Sequence, residues 1–209
     1  MSKSSMTHQI TTIEELTNIY DAASEASIKK EVSYLHPHYQ VIINASPFAV
    51  LATSGPEGLD ASPRGDAAGF VHIKDEKTLL IPDRRGNNRL DSLRNIIHDS
   101  RVALLFLVPG LGETLRVNGE AIISKDPELL NQFSVNGKPP KTVLVIHVET
   151  VFFQCSRAIH RSGLWQAKNE AQLRSIPTPG KILADLSNST IDGEKYDREL
   201  PQRIQSTLY

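Results

Sequence analysis

Cysteine is almost missing from this chain: Cys155 is the only one in 209 residues. That excludes an internal disulfide framework and a cysteine-based zinc site. Long apolar runs are missing as well. The longest, Val102 to Val108 with its neighbour, is about eight residues, against the roughly 18 needed to span a bilayer. The first ten residues, MSKSSMTHQI, hold no apolar stretch, so no secretory signal is expected. Charge of one sign is lacking too, with a formal net charge of −1, which argues against wholesale coating of nucleic acid. Aromatic residues are scarce at 6%, and none alternates with arginine along one segment as a base-stacking strand requires. No GxSxG, Walker loop, GxGxxG or HExxH occurs, which removes the usual hydrolase, P-loop, Rossmann and zincin readings. The seven histidines do not fall at metal-ligand spacings; His36 and His38 flank Pro37, too close for a helical i,i+4 pair. The expectation is a soluble cytoplasmic protein with no metal, no membrane segment and no nucleic-acid partner.

What is present suffices for a core, with 39% hydrophobic and 22% charged residues. Residues 11 to 35 read as helix, with Thr12 and Glu15 as a capping box and Ile13, Leu16, Ile19 and Tyr20 at helical spacing. A second helical stretch follows, ending by Pro37. Strand character begins at Phe48. Phe48–Thr53 and Leu59–Pro63 flank the turn Ser54–Gly58 as a hairpin, and Gly69–Ile73 and Thr78–Ile81 form another pair across Lys74–Lys77. Asn88 to Ile97 reads as helix with Leu90, Leu93, Ile96 and Ile97 on one face. Strands resume at Arg101–Val108 and, after Pro109–Gly112, at Glu113–Ser124. Asp126 caps a short helix with Pro127 at its first position, and Thr142–Phe153 is the last clear strand. The final fifty residues or so mix polar helix fragments with prolines. Six or seven closely spaced strands with only two brief helices among them favour a mainly antiparallel α+β barrel over a doubly wound parallel sheet. The expected division is an N-terminal helical arm over 1–40, a barrel domain over 41–175 and a C-terminal extension over 176–209.

The stretch from Ala61 to Asn95 carries the strongest chemical signal. Arg64, Arg84, Arg85, Arg89 and Arg94 lie in it, with Gly65 and Gly86 following two of the arginines and Asn87-Asn88 preceding a third. Guanidiniums fork onto phosphate oxygens, and glycine lets the backbone approach an anion. Asn87 or Asn88 could cap the helix that starts there, leaving backbone N–H groups beside the same charge. Three charge-assisted bonds at about 1.5–3 kcal/mol each would hold a phospholigand at micromolar concentration. The competing reading pairs these arginines with Asp60, Asp66, Asp83 and Asp91 on a solvated surface.

The series SPRGD, LLIPDRRGNNRLDSL, ETLRVNGEA and RSGLW resembles the pyridoxamine 5'-phosphate oxidase-related FMN-binding split-barrel family, over about residues 30 to 175. The resemblance implies a mainly antiparallel split β-barrel with flanking helices, dimeric, with FMN in a groove at the interface of a homodimer. It implies that Ser62, Arg64 and Asp66 meet the phosphate and ribityl chain. Ile81, Pro82, Asp83, Arg84, Arg85, Asn87, Asn88 and Arg89 would line the ring edge and the phosphate, and Thr114 and Arg116 would approach from a later strand. In the segment CSRAIHRSGLW, Trp165 would flank the ring and Arg161 or Ser162 would bond its carbonyl oxygens; the alternative for Trp165 is to anchor the following segment on the barrel. Positive charge at Arg116 or Arg161 would favour the reduced flavin. Cys155 reads as a buried small hydrophobe rather than as a partner of His160. The chain departs from the oxidase itself where Asp66-Ala-Ala-Gly69 replaces a basic strand motif, and its tail has no Arg-x-His after Trp165. The vitamin substrate is therefore not implied.

Three function classes follow. The first is an FMN-dependent oxidoreductase acting with a small-molecule substrate or electron donor. The second is a non-catalytic flavin carrier or sensor, and the third an arginine-based nucleic-acid barrel, which the sparse aromatics oppose.

Overall fold

Period-two alternation sets the direction of each side chain along the central strands, and burial follows it. In the computed structural model, which describes residues 8–167 and 170–209, the chain divides into a short N-terminal unit ending at Glu31 and a main unit, Val32–Tyr209. The first seven residues, part of the segment in which the sequence shows no secretory signal, lie outside the described residues.

The N-terminal unit holds α1 (Ile13–Thr17) and α2 (Glu25–Lys29). The capping box forms as expected: Glu15 N–H donates to Thr12 Oγ1 at 3.2 Å and Glu15 Oε2 accepts from Thr12 N–H at 3.1 Å. The continuous helix expected over 11–35 does not form. Ser24 accepts from Ser27 N–H and starts a helix of its own, because serine at a cap outcompetes serine inside a helix. Ile13, Leu16, Ile19 and Tyr20 are all exposed.

In the main unit α3 (Pro37–Ala45) begins at the residue that was expected to end a helix. Proline is well suited to the first helical position, since the N–H it lacks would have no partner there, and His36 Nδ1 caps by accepting from His38 N–H at 3.2 Å. The elements that follow are β1 (Phe48–Gly55), β2 (Gly58–Gly65), β3 (His72–Asp75), β4 (Thr78–Pro82), α4 (Asp91–His98), β5 (Arg101–Leu107), β6 (Thr114–Ser124), α5 (Pro127–Gln132) and β7 (Val143–Gln154). Helices α6 (Arg157–Ser162), α7 (Glu170–Arg174), α8 (Pro179–Leu186) and α9 (Gly193–Thr207) complete the chain.

Seven strands form one sheet in the order β2-β1-β5-β6-β7-β4-β3, with every pair antiparallel. This is the α+β, mainly antiparallel split-barrel architecture, with β2 and β3 as its two edges. Ala49 and Leu51 of β1, Val102, Leu104 and Phe106 of β5, Leu115 and Val117 of β6 and Ile146 and Val148 of β7 point into a single core. Each large side chain so buried contributes about 1.5–3 kcal/mol. Helix α4 packs on β1, β2 and β6, burying Ile96 while Leu90 and Ile97 of the expected apolar face stay exposed. Asn95 fixes it in place by donating from Nδ2 to Thr53 Oγ1 at 3.1 Å. Gly55 permits this approach, since a Cβ there would lie 2.2 Å from Asn95 Oδ1.

At the β6–β7 irregularity the register shifts between Asn118 and Gly119, and a Cβ on Gly119 would stand 2.0 Å from the His147 carbonyl oxygen. We expect Gly119→Ala to destabilise the fold by about 1–3 kcal/mol through overpacking, read as a lower midpoint in urea unfolding.

Candidate functional site

Strand β2 presents Asp60, Ser62 and Arg64 on one face, at positions i, i+2 and i+4, while Leu59, Ala61 and Pro63 face outward. The sheet curls so that this polar face meets the end of β4, and the two strands, the loop 83–90, the start of α4 and Lys141 line a cavity of about 600 Å³. That volume is in the ordinary range for a ligand or cofactor cleft, ~300–1,000 Å³.

Arg64 is the central charge. Its Nη2 donates to Ser92 Oγ at 2.9 Å and its Nη1 to the Pro63 carbonyl at 3.0 Å. Ser92 Oγ donates on to Asp60 Oδ2 at 2.5 Å, and Ser62 Oγ donates to the same carboxylate at 2.9 Å. Burial lowers the pKa of the Arg64 guanidinium, against the opposing pull of Asp83 and Asp60. Burial likewise raises the pKa of Asp83, against Arg64 and Lys141. A cation and two carboxylates thus share a poorly solvated wall in which each opposes the desolvation of the others.

The remaining arginines divide. Arg84 Nε reaches Asp66 Oδ2 at 3.2 Å, and its Nη1 donates to the Phe133 carbonyl at 2.7 Å. Arg89 Nε pairs with Asp91 Oδ2 at 2.9 Å, well exposed. Arg85 has no hydrogen bond or ion pair among the described residues and opens onto the cavity. Carboxylate pairing on these arginines is therefore real at Arg84 and Arg89, yet five cations face three carboxylates in the lining, and positive charge is in surplus.

Asn87 and Asn88 do not cap α4. The cap position is Leu90, which provides no side-chain acceptor. Asn87 Oδ1 instead accepts from Arg89 N–H at 3.0 Å, and Asn88 takes φ 60°, a left-handed conformation that asparagine tolerates better than most residues. The first-turn N–H groups of α4 are left without a side-chain cap, and Asp91, Ser92 and Leu93 line the cavity. A helix N-terminus carries partial positive charge, so this end adds to the field of the guanidiniums.

Of the residues singled out in the sequence, Ser62, Arg64, Ile81, Pro82, Asp83, Arg84, Arg85, Asn87, Asn88 and Arg89 line this one cavity. Asp66 stands just beyond it. Thr114, Arg116, Arg161, Ser162 and Trp165 are not in its wall. Arg116 lies on the outer face of the sheet, its Cζ 5.2 Å from the Phe152 ring, beside a groove of about 760 Å³ lined by Val50, Ala52, Leu59, Ala103 and Leu105. Trp165 Nε1 donates to the Leu111 carbonyl at 2.6 Å, which anchors the segment after α6 on the turn before β6. Ser162 Oγ is engaged by the Ile159 carbonyl at 3.0 Å. Cys155 is exposed, not buried, because β7 ends at Gln154 and the chain leaves the sheet there.

Asp60, Ser92 and Lys141 also line the cavity; Ser92 and Lys141 were not singled out, and Asp60 entered only as a carboxylate partner of the arginines. Asp60 was within reach, two residues before Ser62 on an alternating strand. Lys141 was not, since only the pairing of Pro82 with Val143 brings it beside Asp83.

Residues 35–155 match the family described as pyridoxamine 5'-phosphate oxidase. None of the curated proteins matches the chain. Among solved structures, HupZ of Group A Streptococcus is 22% identical, over 58% of this chain and 94% of its own, with a TM-score of 0.48. General stress protein 26 of Bacillus anthracis is 20% identical, over 55% and 88%, with a TM-score of 0.42. A protein related to general stress protein 26 from Clostridium acetobutylicum is 14% identical, over 56% and 86%, with a TM-score of 0.44.

The Asp66 carboxyl is pushed up by burial but held below its ordinary pKa by hydrogen bonds from the Tyr209 hydroxyl and the Ala67 N–H and by Arg84. A depressed folded-state pKa gives stability that is present above the unfolded value and lost as pH falls through the folded one. Asp66→Asn is accordingly expected to cost about 1–3 kcal/mol at neutral pH. Urea unfolding across the acid range should show the difference from the parent vanishing once Asp66 is protonated.

Proposed function

The chain belongs to the pyridoxamine 5'-phosphate oxidase family, and on that premise we propose that it is an FMN-binding flavoprotein acting as an oxidoreductase on a small molecule. The observation that carries this reading is the convergence, on one cavity, of the Arg64 network, the unpaired Arg85 and the uncapped start of α4. The donor set fits a phosphate monoester: guanidiniums offer forked N–H pairs, and the helix end offers backbone N–H groups.

Arg85, Arg89 and the first turn of α4 are assigned to the phosphate, and Ser62 and Arg64 to the polyol chain. The end of β4 and the residue after it, Ile81–Asp83, line the cavity and would lie against the ring edge. When bound, FMN supplies two-electron redox chemistry that no side chain here provides. The protein's part is to bind, orient and exclude water. Arg64 serves as a fixed positive charge, kept from moving by Ser92 and the Pro63 carbonyl.

A homodimer accounts for the residues that one chain leaves apart. The outer face of β2, β1, β5 and β6 carries a band of Val50, Ala52, Ala103 and Leu105, and Leu59 there is 88% exposed. An apolar band on a sheet face favours a second copy. Thr114, Arg116, Arg161, Ser162 and Trp165 would then reach flavin from the partner or across the interface. No helix among the described residues is long and apolar enough to cross a membrane.

Purified protein expressed with ample riboflavin should be yellow, with flavin absorbance bands and an FMN Kd in the micromolar range or tighter. Arg89→Glu, a change at an exposed position, should weaken FMN by roughly ten- to a hundredfold while leaving the far-ultraviolet circular dichroism unchanged. A colourless parent protein that ignores added FMN would sink the proposal. Reduction of bound flavin by NADH or NADPH, followed by turnover with an acceptor, separates an oxidoreductase from a flavin carrier or sensor.

A further inference from the structure

Helices α8 and α9 form a hairpin held at two glycines. A Cβ on Gly180 would lie 2.1 Å from the Gly193 carbonyl oxygen, and Gly180 N–H donates to Asp197 Oδ1 at 2.7 Å. Among the described helices and strands, α9 packs extensively on α8 alone. Its far end nevertheless returns to the barrel. Ile204, Leu208 and Tyr209 share a recess of about 290 Å³ with Gly65, Arg84 and Arg85, and the last three also line the main cavity.

Polar contacts hold this end down. The Tyr209 hydroxyl donates to Asp66 Oδ1 at 2.5 Å, its ring lies 5.8 Å from Arg84 Cζ, and Lys138 Nζ donates to its backbone oxygen at 3.3 Å. Ile204 and Leu208 add little, since they stay 50% and 56% exposed. A segment fixed by a few polar bonds and little buried apolar surface opens far more readily than the core unfolds.

These contacts bear on the cavity through one ion pair. Arg84 Nε meets Asp66 Oδ2 at 3.2 Å, with side chains 22% and 11% exposed. Burial pushes the Asp66 carboxyl up, and the Tyr209 hydroxyl is the strongest of the contacts that keep it ionised. Arg84 in turn ties the start of the loop 83–90 to the residue after β2. Past Arg84, the loop has one hydrogen bond to a distant part of the chain among the described residues, from Lys141 Nζ to Asn88 Oδ1 at 3.4 Å. The anchoring of Arg85 and Arg89 therefore depends on the pair that Tyr209 covers.

We infer that residues 203–209 are a strap, latched by Tyr209 on Asp66, that stiffens the loop 83–90 through Arg84 and slows escape of the phosphate-bearing ligand from the main cavity. The inference rests on the flavin reading only for naming FMN as that ligand; the strap and its coupling to the loop stand without it. Opening the strap wets the Asp66–Arg84 pair, and a solvated pair holds its partners weakly. Bound ligand and closed strap thus favour each other, and the coupling is reciprocal.

Tyr209→Phe keeps the ring and removes the latching hydroxyl. Hydrogen exchange read by mass spectrometry on the full, ligand-free chain should be about three- to tenfold faster in the strap and in residues 84–90 of this variant, with β5 and β6 unchanged. Lys195→Ala, on the same helix but away from the latch, should alter neither segment. FMN should dissociate about threefold faster or more from Tyr209→Phe, and bound FMN should slow exchange in the strap of the parent. Unchanged exchange at 84–90 in Tyr209→Phe overturns the inference even if the strap loosens. So does faster exchange spread through β5 and β6, which would make Tyr209 a merely structural residue, and so does an unaltered FMN dissociation rate in a variant whose loop has loosened. If the parent binds no FMN, the flavin reading falls, while exchange at 84–90 still decides whether strap and loop are coupled.

Discussion

Arg64 is a cation taken largely out of water, and the chemistry of the cavity depends on keeping it charged and still. Removing a guanidinium from solvent is costly unless carboxylates and hydrogen-bond acceptors replace the lost hydration. Here Ser92, Asp60, Asp83 and the Pro63 carbonyl provide that replacement, and they come from β2, from the end of β4 and from the first turn of α4. The same contacts that stabilise Arg64 therefore hold three elements at fixed separation around one concavity.

This arrangement has an electrostatic consequence. A network that is internally satisfied leaves little driving force for further movement, so a ligand meets preorganised charge instead of having to assemble it. The donors still unspent are Arg85 and the start of α4, and both line the cavity. The cavity's donors, forked guanidiniums and backbone N–H groups at a helix start, are of the kind that suit a phosphate monoester. Of the residues outside the cavity, Arg116 falls on the outer sheet face, while Trp165 is tied to the turn before β6.

Much of the architecture was legible in advance because local rules and long-range packing agreed. The strand segments that became β1, β5, β6 and β7 were expected close to where they form, and Asp126 with Pro127 started α5 as short-range capping dictates. The failures came where two local signals competed. Ser24 divided the expected N-terminal helix by capping a new one, and Pro37 opened a helix where it was read as a stop. At α4 the asparagines were read as caps, but Asn88 adopted a left-handed turn and Asn87 bonded the backbone of Arg89. The arginine-rich segment lines a single cavity because strand, loop and helix start are contiguous in sequence.

By itself, then, the amino-acid order determined the strands, their order along the chain and the concentration of guanidiniums between Arg64 and Arg89. Those properties follow from periodicities of two and 3.6 and from residue chemistry, which neighbouring residues express without help. Only the tertiary structure decided which charges are spent and which are free. Pairing of β4 with β7 delivers Lys141 to Asp83, and the path of α9 delivers Tyr209 to Asp66, at sequence separations where no local pattern operates. Long-range register and the return of the chain end set those meetings, and with them the line between a neutralised surface and a binding site.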